Sequence, residues 1–272
     1  MLHDNFTVIL VEPQGPINVG SVCRVMMNFG FKNLRLVNPC KNYSSLQARK
    51  MALNAQHLLV DAKVFNTLSE ALADCHLAFG TTRRFGKYRK DFFTPEPAGE
   101  TIAKIDDGIR CSLVLGREDN GLTTEELTLC QHFITIPTDD GFPSMNLSHS
   151  LGILLYEIAK AMKKRVVNQS IEREIVTAQI EANNNFTNQE SSTTETSAKE
   201  TKATATIQAL EQMYEHTKKA LCEIEFLDPQ NPDHLLRTFR NIFGRAGLTE
   251  RDVRIIRGLM SKIEWVNSQR NK

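Results

Sequence analysis

Over residues 1 to 165 the chain alternates short apolar runs with segments whose apolar residues recur at helical spacing. The runs "TVILV", "LRLV", "LAFG", "SLVLG" and "FITIP" read as strands, and helices are predicted over 18–29, near 45–54, near 67–75, near 123–130 and from about 146 onward. Several of these strands are continuously apolar, which is the pattern of a parallel sheet buried on both faces. The predicted class is therefore α/β with a mostly parallel sheet. Gly30 stands where a helix C′ residue belongs, and Thr123 followed by Glu126 has the spacing of a capping box. In the helix beginning near 146, Leu147, Leu151, Leu154, Ile158 and Met162 fall on one side, with Leu155 and Tyr156 widening the stripe.

The pattern breaks from Asn183 to Lys202, "NNNFTNQESSTTETSAKETK", which has too few apolar side chains to offset the entropy of ordering and reads as a linker or a fraying helix end. Helical periodicity then returns, interrupted by "DPQNPD" and "AGLTE", as in a small domain of about three helices. The expected division is a sheet domain over 1–165, a polar linker over 166–204 and a helical extension over 205–272.

Charge sharpens this division. The whole chain carries a net +1, so any affinity for nucleic acid must come from a local patch. Residues 234 to 272 hold nine Lys or Arg against three Asp or Glu, a net of +6, which points to an RNA or DNA grip; a solvated helical face in an oligomer contact is the alternative. No apolar stretch approaches the roughly 18 residues of a membrane helix, and "MLHDNF" lacks a signal peptide's pattern, so a cytoplasmic protein without a membrane partner is expected. The six cysteines show no C-x-x-C and there is no His pair at zinc-ligand spacing; reduced structural thiols and no metal are expected.

The first strand-to-helix turn, "EPQGPINVGSVCRVMMNFG" at 12–30, lacks the G-x-G-x-x-G of dinucleotide sites, which argues against a nicotinamide-dependent oxidoreductase. It offers Asn18, Gly20 and Arg24 instead. Two later turns also carry polar residues. "SLVLGREDNGLT" at 112–123 puts Gly116 at a strand end, followed by Arg117, Glu118 and Gly121, and "ITIPTDDGFPSMNLSHS" at 134–150 runs from Ile136 to Ser144 and Asn146 at a helix start. With "FGTTRR" at 79–84, these turns would form one crevice at the carboxyl ends of the strands. Taken singly, tight turns and helix caps account for each of them.

In this order, "NVGSVCR", "LVLGREDNGLT" and "SMNLSHSLGILLYE" resemble the three motifs of the SpoU or TrmH class of the SPOUT superfamily, ribose 2′-O-methyltransferases that use S-adenosyl-L-methionine. The match is nearest to the TrmJ group, tRNA-modifying enzymes of the anticodon loop, whose C-terminal helical extension the tail "DPQNPDHLLRTFRNIF" also resembles. The resemblance implies a deep C-terminal trefoil knot in the sheet domain, a feature that ordinary connection rules would exclude. It implies a homodimer acting on cytidine or uridine at position 32 of tRNA, with the cofactor's adenosine among Thr81, Thr82, Arg83, Gly116, Ile136, Pro143, Ser144 and Met145. It matches Arg24 to the catalytic arginine, with Asn18 placing the same loop and Ser144, Glu118 and Asn146 completing the site. Met145 departs from the smaller or branched apolar residue often found there. A guanidinium with a pKa of roughly 12.5–13.8 is a poor base, so Arg24 is read as stabilising the developing alkoxide. His149 reads as part of a capped helix turn or a subunit contact, and "RRFGKYRK" at 83–90 as a phosphate-contacting and base-stacking loop. A ribose methyltransferase of another tRNA or rRNA site is one alternative. A non-catalytic RNA-binding module is a second, and the intact trio of Asn18, Arg24 and Ser144 argues against it.

Overall fold

Phe6–Val11 forms β1, and its five buried apolar residues divide between two cores by the period-two alternation of a strand. Phe6, Val8 and Leu10 face one layer of helices, Ile9 and Val11 the other. The computed structural model describes residues 2–83, 92–184, 204–228 and 230–270. After β1 come α1 (Pro16–Asn28), β2 (Asn33–Val37), α2 (Leu46–Ala52), α3 (Gln56–Val60), β3 (Lys63–Phe65), α4 (Leu68–Leu72) and β4 (Leu77–Thr81). The chain continues through β5 (Phe92–Phe93), α5 (Pro95–Ala103), β6 (Cys111–Leu115), α6 (Thr124–Thr128), β7 (His132–Ile134) and α7 (Leu147–Asn184). The strands pair in the order β3-β2-β1-β6-β4-β7-β5, and every pairing is parallel. The two-faced parallel sheet expected from the continuous apolar runs is therefore present.

Several details differ from the expectation. β3 and β5 have three and two residues, too few to show a period, and α5 opens on two prolines that mask its helical pattern. The helix after residue 146 does not stop at Arg165: α7 reaches Asn184, so the first half of the expected linker is helical. Residues 185–203, the rest of that linker, lie outside the described residues, as does the basic loop after Arg83. In α7 the stripe Leu147, Leu151, Leu154, Leu155, Ile158 and Met162 is buried, whereas Tyr156 is exposed and meets Phe29 edge-on. Gly30 has a positive φ of 80° after α1, and the Thr123 and Glu126 capping box forms. None of the six cysteines is in a disulfide, and Cys23, Cys75, Cys111 and Cys130 are buried; desolvation pushes the Cys23 thiol up to about 12 and the Cys75 thiol up to about 11. No described helix is long and apolar enough to cross a membrane.

The tail forms three helices, α8 (Ile207–Glu223), α9 (Asp233–Ala246) and α10 (Glu250–Arg270), around small apolar clusters of its own. It meets the sheet domain at the amino-terminal ends of the strands. The Ile207 N–H donates to the Cys75 carbonyl at 2.8 Å just before β4, the Ile207 side chain joins the second core, and Gly244 lies beside Gln131 just before β7.

Gly20 has a packing role. A Cβ there would stand 2.1 Å from the Ala48 carbonyl oxygen, because α1 lies directly on α2. Overpacking of this kind costs about 1–3 kcal/mol. Gly20→Ala is expected to lower the free energy of unfolding by that amount, read as a lower urea midpoint at an unchanged m-value, and a wild-type midpoint would mean that the two helices part freely.

Candidate active site

The turns after β1, β6 and β7 meet at the carboxyl end of the sheet, where a carboxylate joins them. Glu118 accepts from the Gln14 amide at 3.0 Å, the Gly15 amide at 3.4 Å and the Asn18 Nδ2 at 2.9 Å. Asn18 in turn accepts through Oδ1 from Asn146 Nδ2 at 3.0 Å. The Asn146 Oδ1 caps α7, taking the Ser148 amide at 2.9 Å and the Ser148 hydroxyl at 2.7 Å. Glu118, Asn18 and Asn146, which the sequence assigned to one site, are thus one hydrogen-bonded chain linking segments about a hundred residues apart. The entry to α1 is an anion-favouring position because of its free amides and the helix dipole. Here the anion is a side chain of the protein, which explains why the turn needs no glycine fingerprint.

Beside this chain lies a cavity of about 270 Å³. Its lining includes all eight residues expected to hold a cofactor, namely Thr81, Thr82, Arg83, Gly116, Ile136, Pro143, Ser144 and Met145. Thr81 and Thr82 arrive at the end of β4, where the Thr81 hydroxyl donates to the Val114 carbonyl at 3.1 Å and the Thr82 amide to the Ile134 carbonyl at 2.9 Å. Leu115, Ile134 and Ile136 supply apolar wall, and residues 135–146 cross from β7 back to α7 along the other side. Thr138 holds the turn of that crossing by donating to the Pro143 carbonyl at 3.3 Å. Ser144 is exposed and Met145 half-buried at the cavity's edge. At Gly116 a Cβ would fall 2.1 Å from the Gly121 carbonyl carbon, so only glycine lets the 116–122 loop fold back on itself.

The clamp on that loop was not visible in the sequence. Arg117 donates to both Glu126 carboxylate oxygens at 3.0 Å and to Glu12 at 2.8 Å, while its backbone exchanges hydrogen bonds with Gly121. These carboxylates push the Arg117 guanidinium further up, and Arg117 holds the Glu12 carboxyl below its usual value. Glu126 was legible only as a cap residue, and Glu12 gave no signal. Glu12 also sits at a φ of 47°, a conformation uncommon for a residue with a side chain.

Arg24 stands apart. It lies on α1, six residues beyond Asn18, which is about 9 Å along the axis. It is therefore not in the loop that Asn18 places, it does not line the cavity, and it is exposed with no hydrogen bond or ion pair to a described residue. Around it α1 exposes Ile17 and Met27, and the parallel neighbour α7 exposes Ile153 and Tyr156. The His149 amide faces the Asn146 cap at 3.4 Å, consistent with a helix-turn role.

Comparison with known proteins gives concordant matches for both parts of the chain. Residues 5–156 match the model of the SpoU rRNA Methylase family, and residues 208–272 match that of the C-terminal domain of the tRNA methyltransferase TrmJ. The tRNA (cytidine/uridine/adenosine-2′-O-)-methyltransferase TrmJ of Pseudomonas aeruginosa (strain UCBPP-PA14) is 31% identical over 274 residues, 97% of this chain and 95% of that protein. The tRNA (cytidine-2′-O-)-methyltransferase TrmJ of Methanocaldococcus jannaschii is 40% identical over 155 residues, 56% of this chain and 66% of that one. Among solved structures, the crystal structure of TrmJ from Z. mobilis ZM4 superposes with a TM-score of 0.73 at 27% identity, covering 95% of this chain and 98% of that one.

The Glu12 and Arg117 pair predicts a pH signature. Because Arg117 lowers the Glu12 carboxyl from its ordinary 4.5, the pair contributes stability that is complete above pH 4.5 and lost as pH falls through the lowered value. The difference in thermal stability between wild type and Arg117→Gln is expected to narrow on acidification through that range. A gap that does not change with pH would separate Glu12 from the loop.

Proposed function

The chain belongs to the SpoU methylase family and carries the C-terminal domain of the TrmJ group, and from that premise we propose that it methylates the ribose 2′-oxygen of a cytidine or uridine in the tRNA anticodon loop, using S-adenosyl-L-methionine. The observation that carries this reading is the Glu118–Asn18–Asn146 chain, which brings the three motif segments to the rim of one cavity. The lining suits an adenosine, with an apolar slot edged by backbone groups and hydroxyls over a floor that only glycine leaves open. Thr81, Thr82, Arg83, Gly116, Ile136, Pro143, Ser144 and Met145 would hold it. We read the passage of residues 116–122 and 135–146 as the trefoil knot of the superfamily, and on this reading the enzyme works in the cytoplasm with its tRNA.

When bound, S-adenosyl-L-methionine supplies a methyl group made electrophilic by a sulfonium. The protein's task is then to align the ribose hydroxyl and to stabilise the charge growing on its oxygen. Glu118, Asn18 and Asn146 hold the rim rigid, Ser144 presents a hydroxyl at its edge, and Arg24 supplies the cation. The hydroxyl proton leaves to the neighbouring phosphate or to water. Arg24 is outside its own chain's cavity and flanked by exposed Ile17, Met27, Ile153 and Tyr156, so we infer a homodimer in which this face is covered and Arg24 serves the site at the interface. The net +6 tail would grip the tRNA at a distance from the reacting nucleotide.

Calorimetric titration is expected to show binding of S-adenosylhomocysteine and not of NADH; the reverse would sink the reading. Arg24→Ala should leave that affinity nearly unchanged and lower turnover at least a hundredfold, about 2.7 kcal/mol of transition-state stabilisation, with little rescue by lysine. Turnover near wild type would remove Arg24 from the mechanism.

Deleting residues 185–272, beyond the end of α7, should preserve cofactor binding and weaken tRNA binding. The slope of log K against log salt should become shallower by about 0.7–0.9 for each phosphate that the tail neutralises. An unchanged slope would mean that the tail does not touch RNA phosphates.

A further inference from the structure

The acidic residues of α10 are turned away from its outer face. Asp252 accepts from the Thr249 amide at 2.9 Å and its hydroxyl at 2.7 Å, Glu264 pairs with Lys219 at 3.1 Å and His216 at 3.3 Å on α8, and Glu250 is half-buried at the helix start. Arg251, Arg254, Arg257 and Lys262 are exposed, and none makes an ion pair with a described residue. At 3.6 residues per turn, Arg251, Ile255, Lys262 and Trp265 fall within about 80° of one another around the axis, with Arg254 bordering them. Ile255 is 60% exposed and Trp265 54% exposed, and the Lys262 ammonium stands 3.7 Å from the centre of the indole ring. A helix face whose cations make no ion pair with a described residue, with no carboxylate among its described residues and a half-exposed indole, is complementary to a polyanion that also offers flat apolar rings.

We propose that this face of α10 is a nucleic-acid docking surface in which Trp265 stacks on an unpaired base, Lys262 meets a flanking phosphate, and Arg254 and Arg251, about 16 and 21 Å from Trp265 along the helix, meet phosphates several nucleotides away. The proposal rests on the reading of the chain as a tRNA-modifying enzyme and adds the base-stacking site. Stacking tolerates any base and supplies grip without sequence readout, which suits a contact made away from the methylated nucleotide.

Trp265 is the single tryptophan of the chain, so its emission reports on this face alone. Titration of the full-length protein with an unmodified tRNA transcript, without cofactor, is expected to quench that emission saturably, whereas heparin, which carries charge but no bases, binds without comparable quenching. Trp265→Ala is expected to weaken tRNA binding about tenfold in a filter assay, and Trp265→Phe to stay within about twofold of wild type. Wild-type tRNA binding with unchanged emission, or undiminished binding by Trp265→Ala, overturns the proposal. A blue shift on raising the protein concentration without RNA would assign the face to a second copy of the chain and overturn it equally. Methyl incorporation into the same transcript is scored separately: its absence with quenching intact defeats the functional reading and supports the surface.

Discussion

The carboxylate of Glu118 at the entry to α1 organises the carboxyl end of the sheet. Its oxygens take the amides of Gln14 and Gly15 and the side chain of Asn18, and through Asn18 they orient Asn146 and the start of α7. A nucleotide-binding fold usually leaves such a helix entry open for a phosphate. Here the position is occupied from within, and the space open at this edge is the neighbouring cavity beneath the later loops, where the proposed function puts the ligand. Two helices that begin at the same edge, α1 and α7, are thereby fixed to each other at their first turns, and the packing of Val25 against Gly152 and Phe29 against Tyr156 continues that alignment along their length.

Close backbone approach is the second constraint, and charge secures it. Gly116 lets the 116–122 loop return on itself, and Arg117, the next residue, locks the return through Glu126 and Glu12. Glu126 caps α6 with the same carboxylate that receives Arg117, so the helix start and the cavity floor cannot shift independently. Gly20 and Gly99 allow similar contacts between helices, α1 on α2 and α5 on α7, which brings these helices close against one another.

What could be read in the sequence follows from how local each signal is. The buried strands, the α7 leucine stripe, the Thr123 and Glu126 cap and the C′ glycine at 30 are set by neighbours a few residues away, and all are present. The cavity residues were legible through a family resemblance, which compresses long-range information into motifs. Pairings across a hundred residues leave no local trace, so Glu12 with Arg117 went unseen. Gly20 was read with the chemistry of its motif, but its constraint comes from Ala48. Asn18 and Arg24 share a motif, and their six-residue spacing on the helix predicted over 18–29 already sets them about 9 Å apart along its axis.

The tail's attachment at the amino-terminal ends of the strands has a consequence for selection. Cys75, where Ile207 docks, precedes Thr81 at the cavity by six residues that run through β4, and at about 3.3 Å per residue the two are roughly 20 Å apart along the sheet. A molecule held by both the tail and the crevice would have to reach along the sheet. Under the proposed function the sheet would act as a caliper, whose fixed opening favours substrates of the right overall span and passes over small fragments that carry the same target nucleotide.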